Sequence, residues 1–176
     1  MGKRSNFERV ARDYYPTPYA AVVPLIKHLP ESFSFIEPCA GDGRLISHLE
    51  RNGGQCVAAS DIEPRLEGHA YFIEKRNCFD VEHNADMCIT NPPWDRKLLH
   101  PMIEHFAKQA PTWFLFDGDW CHTKQSIPYM AYCKKIVSVG RVKWIEDSKM
   151  TGKDNVAWYL FHNDGIESVV EFYGRS

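Results

Sequence analysis

Hydrophobic and polar positions along the chain form short apolar runs divided by turns rich in glycine and proline, and their spacing switches repeatedly between helical and extended periods. Tyr15-Pro16-Thr17-Pro18 offers a helix start, with Thr17 placed to cap and Pro18 at the first helical position, where a missing N–H costs nothing. That helix runs through Ala20 to about His28, until Pro30. Phe33 to Ile36 reads as a strand entering Glu37-Pro38-Cys39-Ala40-Gly41-Asp42-Gly43, and a helix follows with Leu45, Ile46 and Leu49 on one face, closing at Gly53-Gly54. Gln55 to Ala59 is a second strand ending at Ser60-Asp61-Ile62, and a weaker third lies around Ile73 to Phe79. Asp86 to Thr90 is a fourth, stopped by Asn91-Pro92-Pro93-Trp94 because two prolines cannot continue a ladder. Leu98 to Gln109 predicts a helix, Trp113 to Phe116 a fifth strand, and Ile127 to Cys133 another helix. Lys135 to Val139, Val142 to Ile145, Val156 to Phe161 and Val169 to Tyr173 then read as strands with no room for crossover helices. Alternating βα units before a strand-rich tail predict an α/β fold: a doubly wound mixed sheet with an antiparallel C-terminal edge.

Composition narrows the class without naming a chemistry. A chain of 176 residues with 44% hydrophobic and 25% charged residues is expected to be one globular domain, residues 1–176, preceded by a basic arm over 1–13. Its apolar runs fall short of the roughly 20 residues of a membrane span, and the first residues lack an apolar signal core, so the expected location is the cytoplasm. The six cysteines include no C-x-x-C pair and are read as free buried thiols. His100 and His105 are five apart, off the i, i+4 spacing of a helical ligand pair, and no metal site is expected. A net charge of −2 gives no bulk attraction to nucleic acid. Local patches are different: residues 1–12 set Lys3, Arg4, Arg9 and Arg12 against Glu8, and residues 124–153 set Lys124, Lys134, Lys135, Arg141, Lys143, Lys149 and Lys153 against Glu146 and Asp147.

Two signals carry chemistry. Gly41-Asp42-Gly43 lies between a strand and a helix, with Asp61 ending the next strand; such a turn lets backbone approach a ligand, and the carboxylate can accept both protons of a ribose diol. This fits either a nicotinamide or an S-adenosylmethionine site, although Ile46 stands where the dinucleotide fingerprint has its third glycine. Asn91-Pro92-Pro93-Trp94 sits at the carboxyl end of the fourth strand, where open α/β sheets place reacting groups. The Asn91 Oδ1 and Pro92 carbonyl oxygens can accept both hydrogens of one amino group, drawing them out of a ring plane and exposing the lone pair, and Trp94 offers a flat face for a base.

At these residues the chain resembles class I S-adenosylmethionine-dependent methyltransferases of the amino type, with the N6-adenine DNA methyltransferases of [N/D]-P-P-[Y/F/W] signature as the best match. The resemblance spans about Tyr14 to Trp94, and the tail through Gly140-Arg141-Val142 and Thr151 to Tyr159 is similar to small methyltransferases often carried by bacteriophages. It implies a Rossmann-like mixed seven-stranded sheet and S-adenosylmethionine as cofactor. The methionine end is implied near Tyr15, Thr17, Glu37, Gly41 and Gly43, with Cys39 lining the loop, the ribose at Asp61 and the adenine beside Ile62. The target amine is implied at Asn91, Pro92, Pro93 and Trp94. Where the family has Asp-Phe against the cofactor's adenine, this chain has Cys78-Phe79, with Asp80 close by. The implied partner is DNA, in a bacterial host cytoplasm if the source is a phage. RNA, a protein glutamine amide, or cofactor binding without catalysis are the alternatives. No separate target-recognition domain is expected, since only Asp117 to Trp120 and Ser148 to Asn155 remain as loops; sequence specificity should therefore be relaxed, at most two or three bases including the target adenine.

Overall fold

The computed structural model describes residues 14–65, 71–82, 84–145, 151–166 and 169–175. Helix α1 (Tyr19–Ile26) leads into β1 (Phe33–Glu37), α2 (Arg44–Glu50), β2 (Gly54–Asp61), β3 (Glu74–Lys75), β4 (Met87–Thr90), α3 (Arg96–Ala107) and β5 (Thr112–Asp117). A single helical turn, α4 (Ile127–Met130), precedes β6 (Cys133–Arg141), β7 (Asn155–Phe161) and β8 (Glu171–Tyr173). The strands form one sheet in the order β3-β2-β1-β4-β5-β7-β6-β8. Strand β7 runs antiparallel to both β5 and β6, and the remaining pairs are parallel. The fold is the doubly wound mixed α/β sheet that the sequence predicts, with antiparallel pairing entering on its C-terminal side.

Alternation along the strands sorts the core into two layers. Phe35, Trp113, Leu115, Val137 and Trp158 face α1 and α2, against Ala21, Val22, Leu25, Leu45, Ile46 and Leu49. Their neighbours Ile36, Phe114, Phe116, Ile136 and Tyr159 face α3, against Leu99, Met102, Ile103 and Phe106. Both faces of β4 are covered, so Met87 to Thr90 is continuously buried.

Several expectations are corrected. The sheet has eight strands and not seven, because the run ending at Tyr173 adds β8 beside β6. Val142 to Ile145 is not a strand: β6 already extends from Cys133 to Arg141, its register shifts between Ser138 and Gly140, and Gly140 has a φ of 82°. The Val142 carbonyl instead accepts the Gly152 N–H at 2.7 Å. The third strand shrinks to Glu74–Lys75, followed by a 3-10 turn over Cys78–Asp80. Thr17 does not cap α1; Pro18 is the N-cap residue, and no side chain closes that end. All six cysteines are free, but only Cys88 and Cys133 are buried. Among the described residues no helix is long and apolar enough to cross a membrane. The basic arm at 1–13 lies outside them.

Helix α1 is tied to the sheet by the buried Trp158 indole N–H, which donates to the Ala21 carbonyl at 2.8 Å. Replacing this residue by phenylalanine keeps much of the apolar bulk and leaves the carbonyl without its donor. Trp158→Phe should cost about 1–3 kcal/mol in urea denaturation; an unchanged midpoint would show that the bond does not hold the helix.

Candidate active site

The strand order turns at β1: β2 and β3 lie to one side of it, β4 and β5 to the other. Because β1 and β4 pair directly, with Phe35 opposite Met87 and Ile36 opposite Cys88, the segments leaving their carboxyl ends emerge side by side. These are the two segments that carry the candidate chemistry, Glu37 to Gly43 and Asn91 to Trp94. Open α/β sheets bind ligands at this kind of junction.

On the first segment, Gly41 and Gly43 have φ of 54° and 76°, the left-handed region in which a side chain is strained. A Cβ on Gly41 would lie 2.7 Å from the Tyr14 ring, and one on Gly43 would lie 3.0 Å from the Tyr71 ring. The glycines thus admit two aromatic rings. The Gly41 N–H donates to Asp61 Oδ2 at 2.8 Å, and the Glu63 N–H donates to Asp61 Oδ1 at 2.8 Å. Asp61 therefore braces the glycine loop against the end of β2 and still has a second lone pair on each oxygen. Ile62, 52% exposed, follows as an apolar platform.

Glu37 is 1% exposed, and its Oε2 is buried without a hydrogen-bond partner. Burial holds its acid well above the ordinary carboxylate range, against the opposing influence of the Thr90 side chain and the Asn91 backbone beside it; the charges of Asp61 and Asp42 push it further up. A buried carboxyl with a free oxygen is suited to a cationic or amine-bearing ligand. The Cys78 thiol and burial push the Cys39 thiol well up, the Cys39 thiol lowers Cys78, and Asp61 raises both. Phe79 packs edge-on against His105, 5.3 Å between ring centres. Asp80 is exposed.

On the second segment, the Asn91 Nδ2 group donates to the Tyr15 carbonyl at 3.3 Å and to Thr17 Oγ1 at 3.2 Å. Pro92 is buried, while Pro93 and Trp94 are half-buried. Trp144 stands between Tyr15 and Trp94, at 6.2 and 5.9 Å between ring centres, the latter pair edge to face. Sequence reasoning places Trp144 in a strand and misses it. The only available signal was a single tryptophan in the polar, basic stretch Arg141 to Lys149.

Two cations of the basic stretch are paired with carboxylates, and Lys149 lies outside the described residues. Lys134 bonds Asp164 at 2.8 Å and the Ile166 carbonyl, and Lys135 lies 3.5 Å from Glu171, both at the end of the sheet where β6 begins. Their acidic partners lie later in the chain than the window used to count charge. Trp120 is also withdrawn from the loop surface: it is buried, and its indole N–H donates to His100 Nε2 at 3.0 Å. A shallow cleft of about 420 Å³ by the start of α3 gathers Arg96, Lys97 and Lys124. A larger one of about 840 Å³, lined by Ile136, Ser138 and Phe172 among others, includes Asp119 and Arg141 but none of the candidate catalytic or cofactor residues.

No protein-family model matches the chain, and no curated protein matches it in sequence. Solved structures do match it in fold. A candidate RNA methyltransferase from Pyrococcus horikoshii aligns with TM-score 0.60 at 15% identity, covering 92% of this chain and 93% of its own. A dimethyladenosine transferase from Plasmodium falciparum aligns with TM-score 0.58 at 17% identity, covering 86% and 64%. A methyltransferase subunit of a type I restriction-modification system from Streptococcus thermophilus aligns with TM-score 0.58 at 10% identity, covering 91% and 47%. This chain thus spans less than two thirds of the last two. The fold is a methyltransferase fold.

The Glu37 acid supplies a pH test of this geometry. Its folded pKa is raised, so its contribution to stability is full below the unfolded carboxylate range and is lost as pH rises toward the folded value. Glu37→Gln should therefore stabilise the protein relative to the parent, and by more at about pH 8 than at about pH 5 in paired thermal melts. A gain that is absent, or larger in acid, would contradict a buried neutral acid.

Proposed function

We propose that this protein is an S-adenosylmethionine-dependent methyltransferase acting on the N6 amine of adenine in DNA. The observation that carries the reading is the Asn91 amide, pinned through Nδ2 at the mouth of β4 beside a buried carboxyl with a free oxygen. With Nδ2 committed, Oδ1 is left to accept from a substrate. Similarity in fold to methyltransferases, including one that modifies adenosine by name, supports the same reading.

The cofactor, when bound, supplies a methyl group carried on a sulfonium. Glu37 would hold its ammonium group, Asp61 its ribose hydroxyls and Ile62 its adenine, with Cys78 and Phe79 near the same ring. Oδ1 of Asn91 and the Pro92 carbonyl would accept hydrogen bonds from the two N–H groups of the target amine, turning its lone pair out of the ring plane, and the surplus proton of the methylated nitrogen would pass to water. Trp94 would stack on the base, flipped from the duplex at a cost of a few kcal/mol. Holding the reactants in register is the main contribution, on the order of 7–11 kcal/mol for well-oriented groups. Arg96, Lys97 and Lys124 beside the Trp94 loop suit phosphate contacts, which position without specifying sequence.

Asn91→Ala should lower methyl transfer to duplex DNA on the order of 100-fold or more, while calorimetric affinity for S-adenosylmethionine stays near the parent value. Trp94→Ala should weaken use of DNA by about 1–3 kcal/mol, one base–aromatic stack. Full turnover by the Asn91 variant would place the reacting amine elsewhere. Methylated adenines sequenced on long random duplex should show at most two or three fixed bases, and activity should fall steeply with salt; a motif of four or more fixed bases would contradict readout by short loops.

A further inference from the structure

Asn91 is held by two groups of one short segment, the Tyr15 carbonyl and the Thr17 hydroxyl. A carbonyl oxygen only accepts, so the amide edge that faces Tyr15 has to be the NH₂ edge. Turning the amide over would set Oδ1 against another carbonyl oxygen. The Tyr15 carbonyl therefore favours one orientation of the amide, and the Thr17 oxygen, at the shorter distance, is the second acceptor that holds it there.

The segment is built to stay in place. Pro16 and Pro18 each fix their own φ and hold the preceding residue, Tyr15 and Thr17 respectively, toward extended backbone. Thr17 is 4% exposed, and its hydroxyl is aimed at Asn91 and not at the open end of α1. Behind it, Ala21, Val22 and Leu25 of α1 are fully buried, and Trp158 grips the Ala21 carbonyl.

From this geometry we infer that Thr17 is a positioning residue that orients the Asn91 amide toward the target amine. The inference rests on the reading of Asn91 as acceptor of that amine. Without the Thr17 oxygen, Nδ2 keeps only the Tyr15 carbonyl, and the amide spends part of its time with Oδ1 turned away. The effect belongs in the rate of transfer and not in cofactor affinity.

Two variants separate the roles. Thr17→Val removes the acceptor at nearly constant volume, and Thr17→Ser keeps it. Thr17→Val should lower kcat on the order of tenfold, with the calorimetric Kd for S-adenosylmethionine unchanged, and Thr17→Ser should return most of the rate. A second readout needs no turnover: the Asn91 side-chain NH₂ signal in a ¹H–¹⁵N spectrum, identified by its loss in Asn91→Asp. It should move toward a solvent-exposed amide position in Thr17→Val and stay in Thr17→Ser. A rise in Kd matching the loss of rate would make Thr17 a cofactor ligand and overturn the inference, as would Thr17→Val with parental kcat and an unmoved amide signal. A parent that transfers no methyl group to adenine would sink the adenine reading instead, and the amide signal would still decide whether Thr17 orients Asn91.

Discussion

The pairing of β1 with β4 is the constraint on which the rest of the molecule depends. Parallel strands cannot be joined by tight turns, so each needs a crossover, and the crossovers of β1 and β4 leave toward opposite faces of the sheet. That divergence opens the crevice at their carboxyl ends. It sets Glu37 beside the backbone of Asn91 although 54 positions separate them in sequence. The long-range order of the site follows from two register pairs deep in the core.

A third piece of chain completes the crevice. Tyr14 lies on the Gly41 backbone, Tyr15 and Thr17 hold Asn91, and α1 anchors the segment to β7 through Trp158. The glycine loop, the Asn-Pro-Pro turn and the N-terminal segment therefore brace one another. Stability is given up for this arrangement at Glu37, a carboxyl buried with an unpartnered oxygen.

Strands β1, β4 and β5 and helices α2 and α3 were legible in the sequence because their apolar periods are undiluted and glycine or proline closes them. Asn91 was legible because it follows a continuously buried strand, and Asp61 because it ends the strand after the glycine turn. The C-terminal region was less so: Lys135 to Ile145 reads as two strands, but a bulge near Gly140 is a matter of backbone register that hydropathy does not encode. The net charge read over Lys124 to Lys153 leaves out the partners of Lys134 and Lys135, Asp164 and Glu171, which lie further along the chain. Thr17 looks like a helix cap from its neighbours. Its actual partner is 74 residues away, which no local pattern reveals. Trp144 was missed for the same reason.

On the proposed reading, the crevice between β1 and β4 joins a cationic methyl donor to a planar exocyclic amine. The direct measurement is transfer of isotope-labelled methyl from S-adenosylmethionine, offered DNA, RNA and a glutamine-bearing protein in parallel, with the products digested to nucleosides and amino acids. The account predicts label in N6-methyldeoxyadenosine. Label on protein glutamine or on a ring carbon, or tight cofactor binding with no transfer to any of the three, would contradict it.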